Sequence, residues 1–285
     1  MRKEQSSITA VGIAVARAVE SARPAGERIC YDPYARQFVP AWMYHLMGFF
    51  IRSGYAELRG PGVSGFLMAR ERYIDDVLQR SIDAGLQQLV ILGAGFDARA
   101  YRFDLVGRVK TFEVDHPATQ ADKLVKLRRI FGAVPAHVTY VAVDFNSQTL
   151  GERLLACGYD PGLTSLFIWQ GVTMYLTAAA VDATLDFVVK HSAPGSAIVF
   201  DYLYQDALDG VRRQNEIGNM RRYRFMTGEG LTFAIPAGTV EAFLLARGFR
   251  QASDAGATQL KAAYFSGSNA RRKVVAGYGI ALGQV

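Results

Sequence analysis

Four groups of residues in this chain could hold a ligand, and each stands at the end of an apolar run. Gly93-Ala94-Gly95-Phe96-Asp97-Ala98-Arg99 follows QLVIL, Asp115 and His116 end VKTFEVDH, Asp144-Phe145 follows VTYVAV, and Gln170-Gly171 follows SLFIW. Glycines at a strand end let the chain turn sharply and let backbone N–H groups approach a ligand. The turn satisfies the relaxed dinucleotide pattern G-x-G-x-x-A, which says little alone. Asp115 lies 22 positions after Gly93, a separation at which a carboxylate can accept from both ribose hydroxyls. It could also cap a helix beginning at Pro117. Asp144 could accept from an adenine amino group with Phe145 packed on the base, or cap a helix of its own. Gln170 could be a satisfied polar residue. Four consecutive strand ends with polar or glycine residues point together to a nucleoside ligand.

Charge separates two such ligands. A dinucleotide brings a doubly anionic pyrophosphate to the glycine turn, where a helix N-terminus must stabilise it. Asp97 would oppose that phosphate, unless it pairs with Arg99 and points away. S-adenosylmethionine has no phosphate and carries a sulfonium cation, which acidic neighbours favour. The residues thus favour methyl transfer. A nicotinamide oxidoreductase and a non-catalytic cofactor-binding protein remain the alternatives.

The elements that must position these groups read as follows. Residues 6–22, 34–51 and 64–84 lack strand alternation and read as helices, the first capped by Ser7 or Thr9, the last ended by Gly85. Apolar runs at 88–92, 109–114, 138–143, 165–169 and 196–200 alternate with helical stretches at 117–131, 149–157 and 178–191, which implies a parallel sheet covered on both faces. Residues 202–236, rich in Tyr, Arg and Gly, interrupt the alternation as an insert above the sheet; 237–247 returns to helix. Ala262–Phe265 and Gly277–Leu282 read as terminal strands. The division expected is a helical cap over 1–85 and a ligand-binding α/β domain over 86–285.

Composition narrows the class. The 285 residues are 50% hydrophobic and 20% charged, enough for a sizeable core. Cys30 and Cys157 cannot build a disulfide framework, and with four scattered histidines no metal site is expected. A reduced, cytoplasmic setting follows. The start MRK with Ala14-Val15-Ala16 imitates a signal peptide, but its apolar run is short and interrupted, and it reads better as a helix. No run approaches the roughly 20 apolar residues that span a bilayer, and no membrane partner is expected. The net charge of +6 is spread over loose groups without a nucleic-acid-binding module, so no nucleic-acid partner is expected either.

Taken together, the motifs resemble the leucine carboxyl methyltransferase family, and most its bacterial branch of S-adenosylmethionine-dependent O-methyltransferases, which includes polyketide O-methyltransferases of the tetracenomycin type. The matching pieces are T-A-x-x-x-A-x-x-R-A-x-E-S (Thr9 to Ser21), YDPYARQF (Tyr31 to Phe38), R-x-R-Y-I-D-D (Arg70 to Asp76), GAGFDARAYR, FEVDHP, VDF and QGVTMYL. They cover residues 7–176 in the family's order and thin out beyond 200. The resemblance implies a class I methyltransferase fold: α/β, Rossmann-like, a doubly wound sheet with an N-terminal helical region and an insert forming a cap. It implies S-adenosyl-L-methionine as cofactor. Arg70 would pair with the methionine carboxylate, and Gly93, Ala94 and Gly95 would line the methionine portion. Asp115 with His116 would hold the ribose, Asp144 and Phe145 the adenine, and Gln170-Gly171 the ammonium end. Arg70 could instead form a surface ion pair with an acid such as Asp76. The family usually has glutamate where this chain has Gln170; the amide can still accept a hydrogen bond, without charge assistance.

The acceptor expected is a carboxylate of a small molecule or a peptide terminus, with a hydroxyl as alternative. A carboxylate is already ionised at neutral pH, so no general base is obligatory. Arg17, Tyr175, Tyr202, Tyr204, Arg221 and Arg222 are the candidate acceptor contacts.

Overall fold

A computed structural model describes residues 8–143, 148–209 and 230–285. Its sheet is built from the apolar runs, which are too continuous to leave a face in water. The strands are β1 (Gln88–Leu92), β2 (Lys110–Asp115), β3 (Val138–Ala142), β4 (Ser165–Trp169), β5 (Ala197–Leu203), β6 (Gln251–Ala255) and β7 (Tyr278–Gln284). Among the described residues they form one sheet in the order β3-β2-β1-β4-β5-β7-β6. The first five are mutually parallel, and β7 runs antiparallel to both β5 and β6. Strand order reverses between β1 and β4, which opens a crevice at their carboxyl ends. The register sets Leu92 of β1 level with Val114 of β2 and Val141 of β3, and Asp115 level with Ala142, at that same edge.

Side chains alternate across the sheet with period two. Val90, Leu92, Phe112, Val114, Phe167 and Trp169 face α8 (Leu150–Ala156), α9 (Ala178–Lys190) and α11 (Val240–Leu245). Leu89, Ile91, Leu166, Ile168 and Val199 face α5 (Val63–Asp83) and α12 (Ala257–Tyr264). A third cluster ties α1 (Ile8–Ser21), α2 (Ala35–Phe38) and α3 (Ala41–Arg52) to α7 (Pro117–Phe131). Short helices α4 (Tyr55–Arg59), α6 (Arg99–Arg102) and α10 (Gln205–Leu208) complete the set.

Several expectations shift. The single helix over 34–51 is two, because Pro40 lacks an N–H and forces Val39 into an extended conformation. Thr9 lies inside α1, not at its cap, and Ser7 falls outside the described residues. Ala262–Tyr264 ends α12 rather than forming a strand; the partner of β7 is β6, whose QASDA sequence is too polar to announce itself. The 202–236 stretch opens with the end of β5 and α10, and its far end returns to the sheet edge through a bridge between Tyr204 and Ile235. Arg221 and Arg222 lie outside the described residues, as do Asp144 and Phe145.

One close approach fixes the start of α5. A Cβ on Gly65 would stand 1.9 Å from the Lys273 carbonyl oxygen, so only glycine lets the helix meet the backbone there. Beside it, Val275 N–H donates to the Gly62 carbonyl at 3.0 Å.

Candidate functional site

A cavity of about 400 Å³ opens where the strand order reverses, within the range of small-molecule sites. Its floor is the sequence that leaves β1. Gly93 and Gly95 take positive φ values of 64° and 43°, which glycine alone adopts freely, and so bend the chain across the strand tips. Asp115 ends β2 directly beside this turn. One carboxylate oxygen accepts the Gly95 N–H at 2.5 Å, and the other accepts its neighbour His116 N–H at 2.7 Å. Each oxygen keeps a lone pair for a ligand. Burial pushes the Asp115 carboxyl above its ordinary range, against the pull of those two N–H groups.

The helix after β2 is capped by His116, not by Asp115: its Nδ1 accepts the Ala118 N–H at 3.2 Å, with Pro117 at the first helical position. Asp115 is therefore free for a ligand.

Gln170 and Gly171 form the wall at the tip of β4. Gln170 is held at both ends. Its oxygen accepts from Arg99 Nη1 at 2.9 Å, and its nitrogen donates to Glu71 Oε1 at 2.6 Å. The amide oxygen expected to face a ligand ammonium is thus already serving Arg99. Arg99 is fully buried and is the hub of an ion network: it also bonds both Asp97 oxygens, Asp75 at 2.7 Å and Glu71 at 2.8 Å. Burial works against the charge of Asp97, but Arg99 and Arg17 outweigh it and hold the carboxyl far below its usual range. Burial is likewise outweighed at Glu71, lowered by Arg17, Arg99 and Arg70. Asp97 does pair with Arg99, as the sequence allowed.

Arg70 is buried behind Gly171. Its Nη1 bonds Asp201 at 2.5 Å, while Nε and Nη2 have no partner among the described residues. The neighbour weighed from sequence, Asp76, instead bonds Arg72 at 2.8 Å. Asp201 accepts the Gly171 N–H through its other oxygen at 2.5 Å, so one acid sets both the arginine and the wall. Arg17, from α1, reaches the cavity too; Nη2 donates to the Phe96 carbonyl, and Nε lies 3.3 Å from Asp32. Burial opposes its charge, but Glu71, Asp32 and Asp97 together raise its pKa.

Of the expected residues, Gly93, Ala94, Gly95, Asp115, His116, Gln170, Gly171, Arg17 and Tyr175 line this cavity. Arg70 stands one layer behind, with an added Cβ on Gly171 reaching 3.5 Å from its Nη1. Tyr202 and Tyr204 do not line it. Both are buried in the core, edge to face with ring centroids 5.5 Å apart, Tyr202 within β5 and Tyr204 just past its end at Leu203. Glu71, Arg99 and Asp201 escaped the sequence reading as site residues. A lone Asp inside the apolar run AIVFDYL was the available signal, since a buried acid in a central strand needs a cation.

The site suits a nucleoside bearing a small charged tail better than a pyrophosphate. The helix after the glycine turn, α6, is a single turn of four residues, and the arginines nearest the turn are already matched by carboxylates. The unpartnered Arg70 nitrogens fit a carboxylate tail.

The model of a family described as leucine carboxyl methyltransferase matches residues 10–189. A Rhodococcus jostii protein named "putative S-adenosyl-L-methionine-dependent methyltransferase" is 36% identical over 68% of this chain and 65% of its own length. A Mycobacterium marinum protein of the same name is 32% identical over 78% of this chain and 72% of its own. The chain thus spans just under two thirds of the Rhodococcus relative. In structure, a Thermobifida fusca methyltransferase-like protein superposes with a TM-score of 0.57 at 15% identity, covering 99% of this chain and 95% of its own, a likeness of fold.

Proposed function

Since the chain belongs to the leucine carboxyl methyltransferase family, we propose that it transfers a methyl group from S-adenosyl-L-methionine to an oxygen of a small anionic acceptor, a carboxylate in first place. The observation that carries this reading is Asp115, pinned by the Gly95 and His116 N–H groups at the cavity floor with acceptor capacity to spare. On this reading Asp115 holds the ribose hydroxyls, Gly93 to Gly95 lie along the methionine portion, and the free Arg70 nitrogens take its carboxylate. Asp144 and Phe145 are assigned to the adenine. Asp97 and Glu71 supply negative charge near the ammonium end in place of a carboxylate at Gln170.

The bound cofactor supplies an electrophilic methyl on a sulfonium sulfur. The protein's part is orientation and exclusion of water, through α1 above and the apolar side chains Ile13, Leu92, Leu150, Trp169, Val172 and Leu176 around. A carboxylate oxygen brings the electron pair for the new C–O bond, the pair of the broken C–S bond stays on sulfur, and no proton moves. The peptide terminus is the larger form of the same acceptor, and a cytoplasmic setting goes with it.

Thermal unfolding with ligands tests the proposal. S-adenosyl-L-methionine or its demethylated product at 100 times its dissociation constant should stabilise the protein by about 2.7 kcal/mol, with Asp115→Ala abolishing the effect. Radiolabel from the methyl group should then appear in an acceptor and leave it in mild base, as a methyl ester does. Stabilisation by NAD(H) or NADP(H) alone would overturn the assignment.

A further inference from the structure

Helix α3 is apolar on both its inner and outer faces, with His45 and Arg52 its exposed polar residues. Its inner face, Met43, Tyr44, Met47 and Ile51, packs on the cluster formed with α1 and α2. Its outer face carries Trp42, Leu46, Phe49 and Phe50 at helical spacing, with Trp42 64% and Phe49 62% exposed. Tyr55 and Leu58 of α4 extend the same surface, Leu58 at 78% exposure, and with Phe49 and Phe50 they line a shallow groove. A helix that also exposes large apolar side chains on its outer face is ordinarily covered there, and a contiguous apolar patch of this kind marks a docking surface.

Charge says what covers it. No acidic residue occurs between Asp32 and Glu57. Where Ile51, Arg52, Ala56 and Glu57 end the patch, the α3–α4 hairpin borders a hollow of about 550 Å³ that is also lined by Arg23, Arg271, Arg272 and Lys273. The two acids there are occupied: Glu20 binds Arg272 at 2.8 and 3.1 Å, and Glu57 accepts the Gly62 N–H at 2.8 Å. Among the described residues, Arg52, Arg271 and Lys273 have no carboxylate within ion-pair distance. A second copy of a chain with net charge +6 would bring the same cations against themselves. An anionic surface satisfies both features at once: phosphates meet the cations while Trp, Phe and Leu enter the acyl boundary.

We propose that the α3–α4 hairpin docks the protein on an anionic lipid surface, its apolar face in the interface and the neighbouring arginines and Lys273 on the headgroup phosphates. None of the described helices is long and apolar enough to cross a bilayer, so the contact is peripheral. The sequence expectation of no membrane partner rested on the missing span, which does not bear on a helix lying in the headgroup plane.

The full chain reports on this itself. It has two tryptophans, of which Trp169 is 3% exposed and silent to lipid, so a spectral change belongs to Trp42. Vesicles of phosphatidylcholine containing phosphatidylglycerol should blue-shift the Trp42 emission and sediment the protein. Phosphatidylcholine alone should do neither, and raised salt should release the protein. Trp42→Ser and Phe49→Ser should each weaken sedimentation roughly tenfold. Arg52→Gln and Lys273→Gln, both exposed, should each weaken it about fivefold with the fold intact by circular dichroism. Sedimentation that ignores anionic lipid and salt overturns the proposal. So does an absence of vesicle binding, whether the protein stays monomeric or self-associates through the patch as seen by light scattering.

Discussion

Gln170 and Glu71 illustrate how a residue's meaning depends on its neighbour. At 2.6 Å the amide of one donates to the carboxylate of the other, so a glutamate at 170 would set a second carboxylate against the buried Glu71. Gln170→Glu alone should therefore cost about 1–3 kcal/mol in urea unfolding. Glu71→Gln added to it returns a donor to the pair and keeps the total charge, and should recover most of the loss; additive losses would show that the two do not communicate. Asp115 carries a pH signature. Its folded pKa is raised, chiefly by burial, so the stabilising protonated form prevails below the ordinary carboxylate range and is lost as pH rises through the raised value. Ligand binding runs the other way, because a protonated carboxyl loses an acceptor. The thermal shift given by S-adenosyl-L-methionine should shrink on acidification through that value, and Asp115→Asn should flatten the profile.

At the scale of elements, two glycines separate space from conformation. Gly65→Ala drives a Cβ into the Lys273 carbonyl, backbone against backbone, and should lower stability by about 1–3 kcal/mol or more. Gly85 ends α5 with a φ of 89° and open space around it, so Gly85→Ala should cost roughly 1–2 kcal/mol from conformation alone. Urea titrations of both variants test the ranking. These elements also mark where the sequence was legible. Helix 117–131 and strands 88–92 and 165–169 stand as their apolar periods predicted, because parallel strands buried on both faces leave an unbroken apolar run. The glycine turn and Asp115 were readable because their chemistry needs particular residues at strand ends. The Arg99 hub was not, since its partners Glu71, Asp75 and Gln170 come from distant segments that only the fold brings together. Strand β6 was missed for a different reason: on the sheet edge with one neighbour, it has no need of apolar residues on both faces.

For the whole molecule, the sheet joins two kinds of construction. β1, β2 and β4 carry the cavity at their tips and β5 backs its wall through Asp201, while β6 and β7 supply none of its described lining and close the far flank. β7 lies between β5 and β6, with seven residues paired to β5. Shortening the chain after Ala276 should thus leave the cavity strands intact in sequence but send the protein to the insoluble fraction on expression, whereas the full chain stays soluble. The interior place of β7 also sets an order of events during synthesis. A ribosome delivers all five parallel strands, and then the partner β6, before the segment that belongs between them has emerged. The nascent chain must keep a slot open along β5 throughout that interval, with its amide groups exposed to any passing strand. Chaperone contact late in translation, and not early, is what such an arrangement calls for.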